Sequence, residues 1–264
     1  MSELTGKTAL ITGSTTGIGR AAAIALAARG ASVVVTGRDA QRGAEVVEKI
    51  QADGGTAHFV AADLTDQEDV ARLAREAGDV DVLVNNAAAA SFGPSADITT
   101  AQYDAMLDGN LRAVYVLTAA LAPRMAERGS GSVINVSSGA ALMGDFYNAV
   151  YAATKGAVNS LTRAWAAEYG PAGVRVNAVA PGPVYTGAPV EWLDKYIPLI
   201  PLRRVARPED VAEVIAFLAG PGGSYVNGTV IPVDGGLTAV EPPKTVVEPP
   251  KTVVEPSKAG ATNG

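Results

Sequence analysis

The sequence predicts an α/β fold, a doubly wound parallel sheet of about seven strands with helices on both faces. Three observations predict it. Short, nearly continuous apolar runs alternate with longer helix-forming stretches from Lys7 to Val233. The composition is 48% apolar but only 5% aromatic, which suits a core of Ala, Val, Ile and Leu between sheet and helices. A glycine turn joins the first strand to the first helix, as a phosphate cradle requires.

Taken in order, residues 7–12 form a short apolar run, the expected first strand. Gly13, Gly17 and Gly19 follow, and then the helix-forming stretch 20–29, with Gly30 as its stop. Glycines here let the backbone approach a pyrophosphate, and a helix N-terminus offers N–H groups and positive dipole. Residues 32–37 are the second strand. It ends at Gly37 with Arg38 and Asp39 beyond, where an acid favours a free ribose 2′-hydroxyl and an arginine a 2′-phosphate. Arg38 therefore favours NADP(H), with NAD(H) possible; Asp39 also fits as the cap of a helix over 40–52.

A third strand over 56–62 contains His58, the only histidine, with no acid or serine motif beside it, so it reads as structural. Asp63 and Leu64 close that strand at an edge suited to an adenine ring. An acidic amphipathic helix over 66–77 and a strand ending in Asn85 and Asn86 come next. The helical pattern over 100–128 is broken at Gly109 and Asn110, and Pro123 is expected to kink or end its first part. A strand over 132–138 ends in Ser138, and a helix carrying Tyr151 runs to about Gly170. A sixth strand, 174–180, stops at Pro181-Gly182-Pro183. The proline-rich stretch 184–207 reads as a mobile flap whose Val184, Trp192 and Ile197 either wall a substrate or pack the flap down. A helix from Pro208 and a strand over 229–233 complete the pattern.

The folding unit is thus residues 1–238. Over 239–264 the composition changes: Glu-Pro-Pro-Lys-Thr-Val-Val stands at 241–247 and again at 248–254. Such a repeat favours polyproline conformation and no core, so the tail is expected to be disordered.

A net charge of −6 with no basic patch argues against a nucleic-acid partner. The absence of cysteine excludes disulfides and thiolate chemistry, and no metal is expected. Without a leader pattern or a membrane-length apolar run, a cytoplasmic protein with no membrane association is expected.

The chemistry is concentrated in Tyr151 and Lys155, four apart on one helix face, with Ser138 on the preceding strand. A phenol of pKa about 10 is a poor proton donor at neutral pH unless a nearby cation stabilises its anion. A hydroxyl to polarise a carbonyl, a phenol to donate a proton and a cation to tune it make a site for ketone and secondary alcohol. Alone, the Tyr–Lys pair also fits a solvated helix edge.

Taken together, Gly13, Gly17, Gly19, Asp63, Asn85-Asn86-Ala87, Asn110, Ser138, Tyr151, Lys155, Pro181-Gly182 and Asp234-Gly235-Gly236 resemble the short-chain dehydrogenase/reductase family over residues 5–238. The likeness is to its short single-domain branch with a Rossmann-like fold, similar to 3-oxoacyl-carrier-protein reductases. The resemblance implies an enzyme in which Tyr151 is the general acid or base, Lys155 tunes it, Ser138 orients the carbonyl and Asn110 holds a water in a proton relay. It further implies a cofactor lined by Gly13, Thr16, Gly17, Ile18, Gly19, Arg38, Asp63, Leu64, Asn86, Tyr151, Lys155, Pro181, Gly182, Val184 and Thr186. A homotetramer packed through the Asn110 and Tyr151 helices is implied as well. Ala88 departs from the family's usual glycine and is expected to crowd the loop. An enoyl reductase of the related type needs a longer Tyr-to-Lys spacing, and Val158 occupies that position. A catalytically silent NAD(P)-binding sensor is the alternative, against which the complete set of four site residues argues. Phe92, Met143, Phe146, Val184 and Trp192 suggest an apolar pocket for a small-molecule carbonyl or alcohol.

Overall fold

The structure, a computed structural model, describes residues 3–144 and 148–240. The heptapeptide repeats and Phe146 lie outside these residues. Seven strands, β1 (Thr8–Ile11), β2 (Ser32–Gly37), β3 (Thr56–Ala61), β4 (Val82–Asn85), β5 (Gly131–Val136), β6 (Val174–Pro181) and β7 (Val230–Val233), form one parallel sheet in the order β3-β2-β1-β4-β5-β6-β7. The helices are α1 (Gly17–Ala28), α2 (Ala40–Ala52), α3 (Gln67–Glu76), α4 (Thr100–Leu107), α5 (Ala113–Glu127), α6 (Ala149–Tyr169), the short α7 (Val190–Leu193) and α8 (Pro208–Ala219). No helix among the described residues is long and apolar enough to cross a membrane.

The unbroken apolar character of the five inner strands follows from their burial on both faces. Successive side chains alternate between faces, so Ala9, Ile11, Val33, Val35, Val82 and Val84 join α1 and α8 in one core cluster. Leu10, Val34, Leu83 and Val133 join α3, α5 and α6 in the other. A strand with one solvated face would have shown polar residues at every second position.

Three elements differ from expectation. The break at Gly109 and Asn110 is a π-helical turn, Asp108–Arg112, between α4 and α5. Pro123 does not end a helix: α5 continues through it to Glu127, because Leu117, Leu121, Ala122 and Met125 are buried on the sheet and outweigh one missing N–H bond. The stretch 184–207 is structured rather than irregular. Pro189 is the N-cap of α7 and Pro198 lies in a following 3₁₀ turn. Leu193, Ile200 and Val205 form a small core of their own with Tyr185, Tyr196, Ile197 and Leu237 packed against it. The Leu202 N–H donates to Gly235 O at 3.1 Å, so the Asp234-Gly-Gly motif is the seat of this segment.

Candidate active site

The strand order reverses between β1 and β4, where loops leaving their C-terminal ends part to opposite sides and open a crevice. There a cleft of about 570 Å³ runs from Arg38 past the glycine loop to Tyr151. Thr12 ties its two lips together: its hydroxyl accepts the N–H groups of Asn86 at 2.9 Å and Ala87 at 3.0 Å. The Asn86 amide donates in return to the carbonyls of Thr12 (2.8 Å) and Gly13 (3.2 Å). Asn86 thus lines the cleft while fixing the loop.

The glycines are required by this closeness. A Cβ on Gly19 would stand 2.3 Å from the Gly13 carbonyl oxygen, and Gly13 itself has φ of 62°. The N-terminus of α1 is also left open. Its N-cap, Thr16, makes no side-chain cap bond, and its first turn carries no acid. By contrast, α2, α3 and α4 are each capped by a side chain, from Asp39, Asp66 and Thr99. An uncapped N-terminus at a glycine cradle suits an anionic diphosphate, so the residues present fit a dinucleotide.

Gly13, Thr16, Gly17, Ile18, Arg38, Asp63, Leu64, Asn86, Ser138, Tyr151, Lys155, Pro181, Gly182, Val184 and Thr186 all line the cleft. Gly19 and Asn110 stand behind it. Gly19 faces the Gly13 carbonyl. Asn110 is fully buried because the π turn directs it inward: its Oδ1 accepts the Ala89 N–H at 2.7 Å, and its Nδ2 donates to Ala89 O (2.8 Å) and Thr154 Oγ1 (3.2 Å). The Thr154 hydroxyl donates in turn to Tyr151 O at 2.7 Å. The Asn110 side chain braces the β4 loop against α6. Ala88 is exposed and lines the cleft.

Sequence reasoning missed Arg42, Thr15 and Ser137, which also line the cleft. Arg42 was legible in principle, being one turn from Arg38. It donates through its backbone N–H (3.1 Å) and Nε (2.6 Å) to Asp39, whose carboxyl is held below its ordinary pKa chiefly by that backbone hydrogen bond. Asp39 caps α2 and its charge is matched. His58 is exposed on the edge strand β3, away from the cleft.

At the other end, Ser138 lies just beyond β5 and lines the cleft together with Tyr151, its hydroxyl accepting the Ala140 N–H at 3.2 Å. Burial raises the phenol pKa, against the lowering effect of Ser138. Lys155 is 2% exposed; its Nζ donates to Val136 O at 2.7 Å and lies 5.7 Å from the centroid of the Tyr151 ring. Burial lowers its pKa to about 8. Desolvation thus acts on both groups, raising the phenol and lowering the ammonium.

A family model described as enoyl-(acyl carrier protein) reductase matches residues 13–238. The chain belongs to the short-chain dehydrogenase/reductase family. It is 35% identical over 254 residues to the 7alpha-hydroxysteroid dehydrogenase of Clostridium sardiniense, covering 92% of this chain and 97% of that protein. A solved structure described as a short chain dehydrogenase/reductase family protein is 49% identical, with TM-score 0.86, over 90% of this chain and 100% of that one. A 3-oxoacyl (acyl-carrier-protein) reductase from Agrobacterium tumefaciens C58, with NADP bound, is 33% identical with TM-score 0.84, over 88% and 94%. The protein is accordingly an oxidoreductase acting on alcohol and carbonyl groups.

Proposed function

We propose that this protein is an NADP(H)-dependent oxidoreductase interconverting a ketone and a secondary alcohol on a mostly apolar substrate. The observation that carries the reading is one cleft with an uncapped helix and two arginines at one end and Ser138, Tyr151 and Lys155 at the other. Arg38 and Arg42 favour a 2′-phosphate, since Asp39 is already engaged by Arg42. The open N-terminus of α1 would hold the diphosphate, Asp63 and Leu64 would border the adenine, and Pro181, Gly182, Val184 and Thr186 would line the far side.

The nicotinamide, when bound there, would supply the hydride for reduction or accept it in oxidation. The protein supplies the proton and the orientation. Ser138 donates a hydrogen bond to the substrate oxygen, and Tyr151, protonated at neutral pH, gives that oxygen its phenolic proton as charge develops there. In oxidation the phenol oxygen takes the proton back. Lys155, cationic below about pH 8, stabilises the phenolate left by transfer. Asn110 is a positioning residue, acting through Thr154 and the Tyr151 helix turn. Val158, at the longer spacing an enoyl reductase would need for its lysine, is a buried core residue, which favours ketone over enoyl reduction. Assembly as a homotetramer through the helices around Asn110 and Tyr151 belongs to the same reading, supported by exposed Tyr103 on α4 and Tyr115 on α5.

The test is consumption of NADPH and NADH, read by absorbance of the reduced nicotinamide, across a panel of ketones and acyl thioesters. Turnover is expected with at least about tenfold preference for NADPH, the scale of one charge-assisted phosphate contact. Preference for NADH contradicts the coenzyme assignment. Coenzyme binding without turnover on any substrate contradicts the reaction.

A further inference from the structure

The sheet order dictates what stands over the catalytic hydroxyls. β5 lies between β4 and β6, so the segments leaving the C-terminal ends of β4 and β6 flank Ser138, just beyond β5. Ala89 on the first segment and Thr186 on the second both line the cleft. Farther out the two segments meet. The rings of Phe92 and Trp192 lie 6.2 Å apart, tilted by 54°.

Both rings remain open to solvent, Phe92 at 61% and Trp192 at 42% exposure. Trp192 is held from another side by Tyr196, edge-on at 5.4 Å, which packs against the small core of Leu193, Ile200 and Val205. The indole is thereby anchored to the 184–207 segment while keeping surface free. Leu142 and Met143, on the segment after Ser138, are exposed as well. Apolar side chains presented beyond three neighbouring strand ends, outside the lining of the cleft itself, suit a ligand surface.

Charge narrows the ligand. Residues 88–96, 138–144 and 184–194 contain no Lys, Arg or His. The same segments contribute Glu191 and Asp194, the latter accepting the Tyr185 hydroxyl at 2.7 Å. The segment bearing Trp192 carries its first cation at Lys195, just past these stretches, so within them a carboxylate meets acids and no counter-charge. Shape narrows it further. A ring presents a broad rigid face to an indole, whereas an open chain loses several rotors to cover the same area.

We infer that Phe92 and Trp192 form a specificity-determining subsite that selects neutral ketones carried on a ring system over open-chain and carboxylate-bearing ketones. The inference rests on the oxidoreductase reading above and adds its substrate class.

The test compares decalone, a linear decanone of equal carbon count and 4-oxocyclohexanecarboxylate, each with NADPH, for the full chain and its Trp192→Ala, Phe92→Ala and Trp192→Phe variants. Wild type is expected to favour decalone in kcat/KM by about tenfold or more, the scale of an aromatic contact added to area burial. Either alanine variant is expected to lose that preference through a raised KM for decalone, with a clearly smaller loss on decanone and Trp192→Phe retaining most of the preference. A second readout needs no turnover. Trp192 and the buried Trp165 are the chain's two tryptophans, so the wild-type emission minus that of Trp192→Phe isolates Trp192. Decalone is expected to change that difference signal and decanone to change it less.

Equal efficiency on decalone and decanone, or equal losses on both in Trp192→Ala, overturns the subsite and leaves the oxidoreductase reading standing. Preference for 4-oxocyclohexanecarboxylate overturns the neutral-ligand claim. A decalone-induced Trp192 signal without turnover of any ketone supports the subsite and counts against the reaction. Neither signal nor turnover overturns both.

Discussion

Lys155 Nζ donates its 2.7 Å hydrogen bond to the carbonyl of Val136, while the centroid of the Tyr151 ring lies 5.7 Å away. The cation is held by the end of β5, beneath the phenol rather than on it. Desolvation lowers its pKa from 10.5 to about 8. Between these values the unfolded chain binds more protons than the folded one, so stability rises with pH across the window; below about 8 the full burial penalty is present. That penalty is at most roughly 3 kcal/mol. Lys155→Met removes it but leaves Val136 O without this donor, a loss of about 1 kcal/mol. The variant is expected to be about 1 to 2 kcal/mol more stable than wild type at neutral pH, with the gap closing towards pH 10.5. Denaturant unfolding across that range checks it, and a gap independent of pH refutes the burial argument.

The glycine loop makes a contrasting pair of predictions. A methyl on Gly19 would fall 2.3 Å from Gly13 O and 2.5 Å from Asn86 Nδ2, so neither lip of the cleft can keep its place. Gly19→Ala is expected to cost about 1 to 3 kcal/mol of stability and to weaken NADPH binding by at least about a hundredfold. Gly156, one residue after Lys155 in α6, faces open space: a methyl there would meet nothing within 4 Å. Gly156→Ala is expected to stabilise by about 0.5 to 1 kcal/mol. Thermal melts and coenzyme fluorescence titrations distinguish the two.

Arg38→Ala and Arg42→Ala are each expected to lower kcat/KM for NADPH by about ten- to a hundredfold, with NADH changed by less than about twofold. Arg42→Ala should have the larger effect, because it also releases Asp39 beside the proposed 2′-phosphate site. Added salt should narrow the NADPH advantage of wild type. Equal losses with both coenzymes refute the assignment.

Asn110 and Thr154 join the β4 loop to α6 through one 3.2 Å hydrogen bond. Asn110→Ala leaves the Ala89 N–H and carbonyl unpartnered and is expected to cost about 2 to 3 kcal/mol, against about 1 for Thr154→Val. A double-mutant cycle should show the two losses coupled by at least about 0.5 kcal/mol. Strict additivity contradicts the bracing role.

The sheet was legible because burial on both faces writes itself as unbroken apolar runs, as at Ser32–Gly37, where expected and observed bounds coincide. Ser138, Tyr151 and Lys155 were legible because helix spacing puts the last two on one face. Less local facts were not. Pro123 signals a helix end by its own chemistry, and only the burial of Leu121 and Met125 around it overrides that signal. Asn110 marked an interruption, but its partners Ala89 and Thr154 lie 21 and 44 residues away. The 184–207 segment lacks periodicity because its small core is built from turns and seated on Gly235. The Phe92–Trp192 contact joins residues a hundred apart, which no pattern along the chain announces.

The central claim is that Tyr151 transfers the proton while the rest of the cleft binds and orients. Tyr151→Phe removes one oxygen and keeps the ring, so the most direct measurement is single-turnover ketone reduction by this variant beside its NADPH affinity. Coenzyme binding is expected within about twofold of wild type, with a reduction rate lower by about 10² to 10⁴. A rate within about tenfold of wild type, at unchanged coenzyme affinity, would contradict the claim.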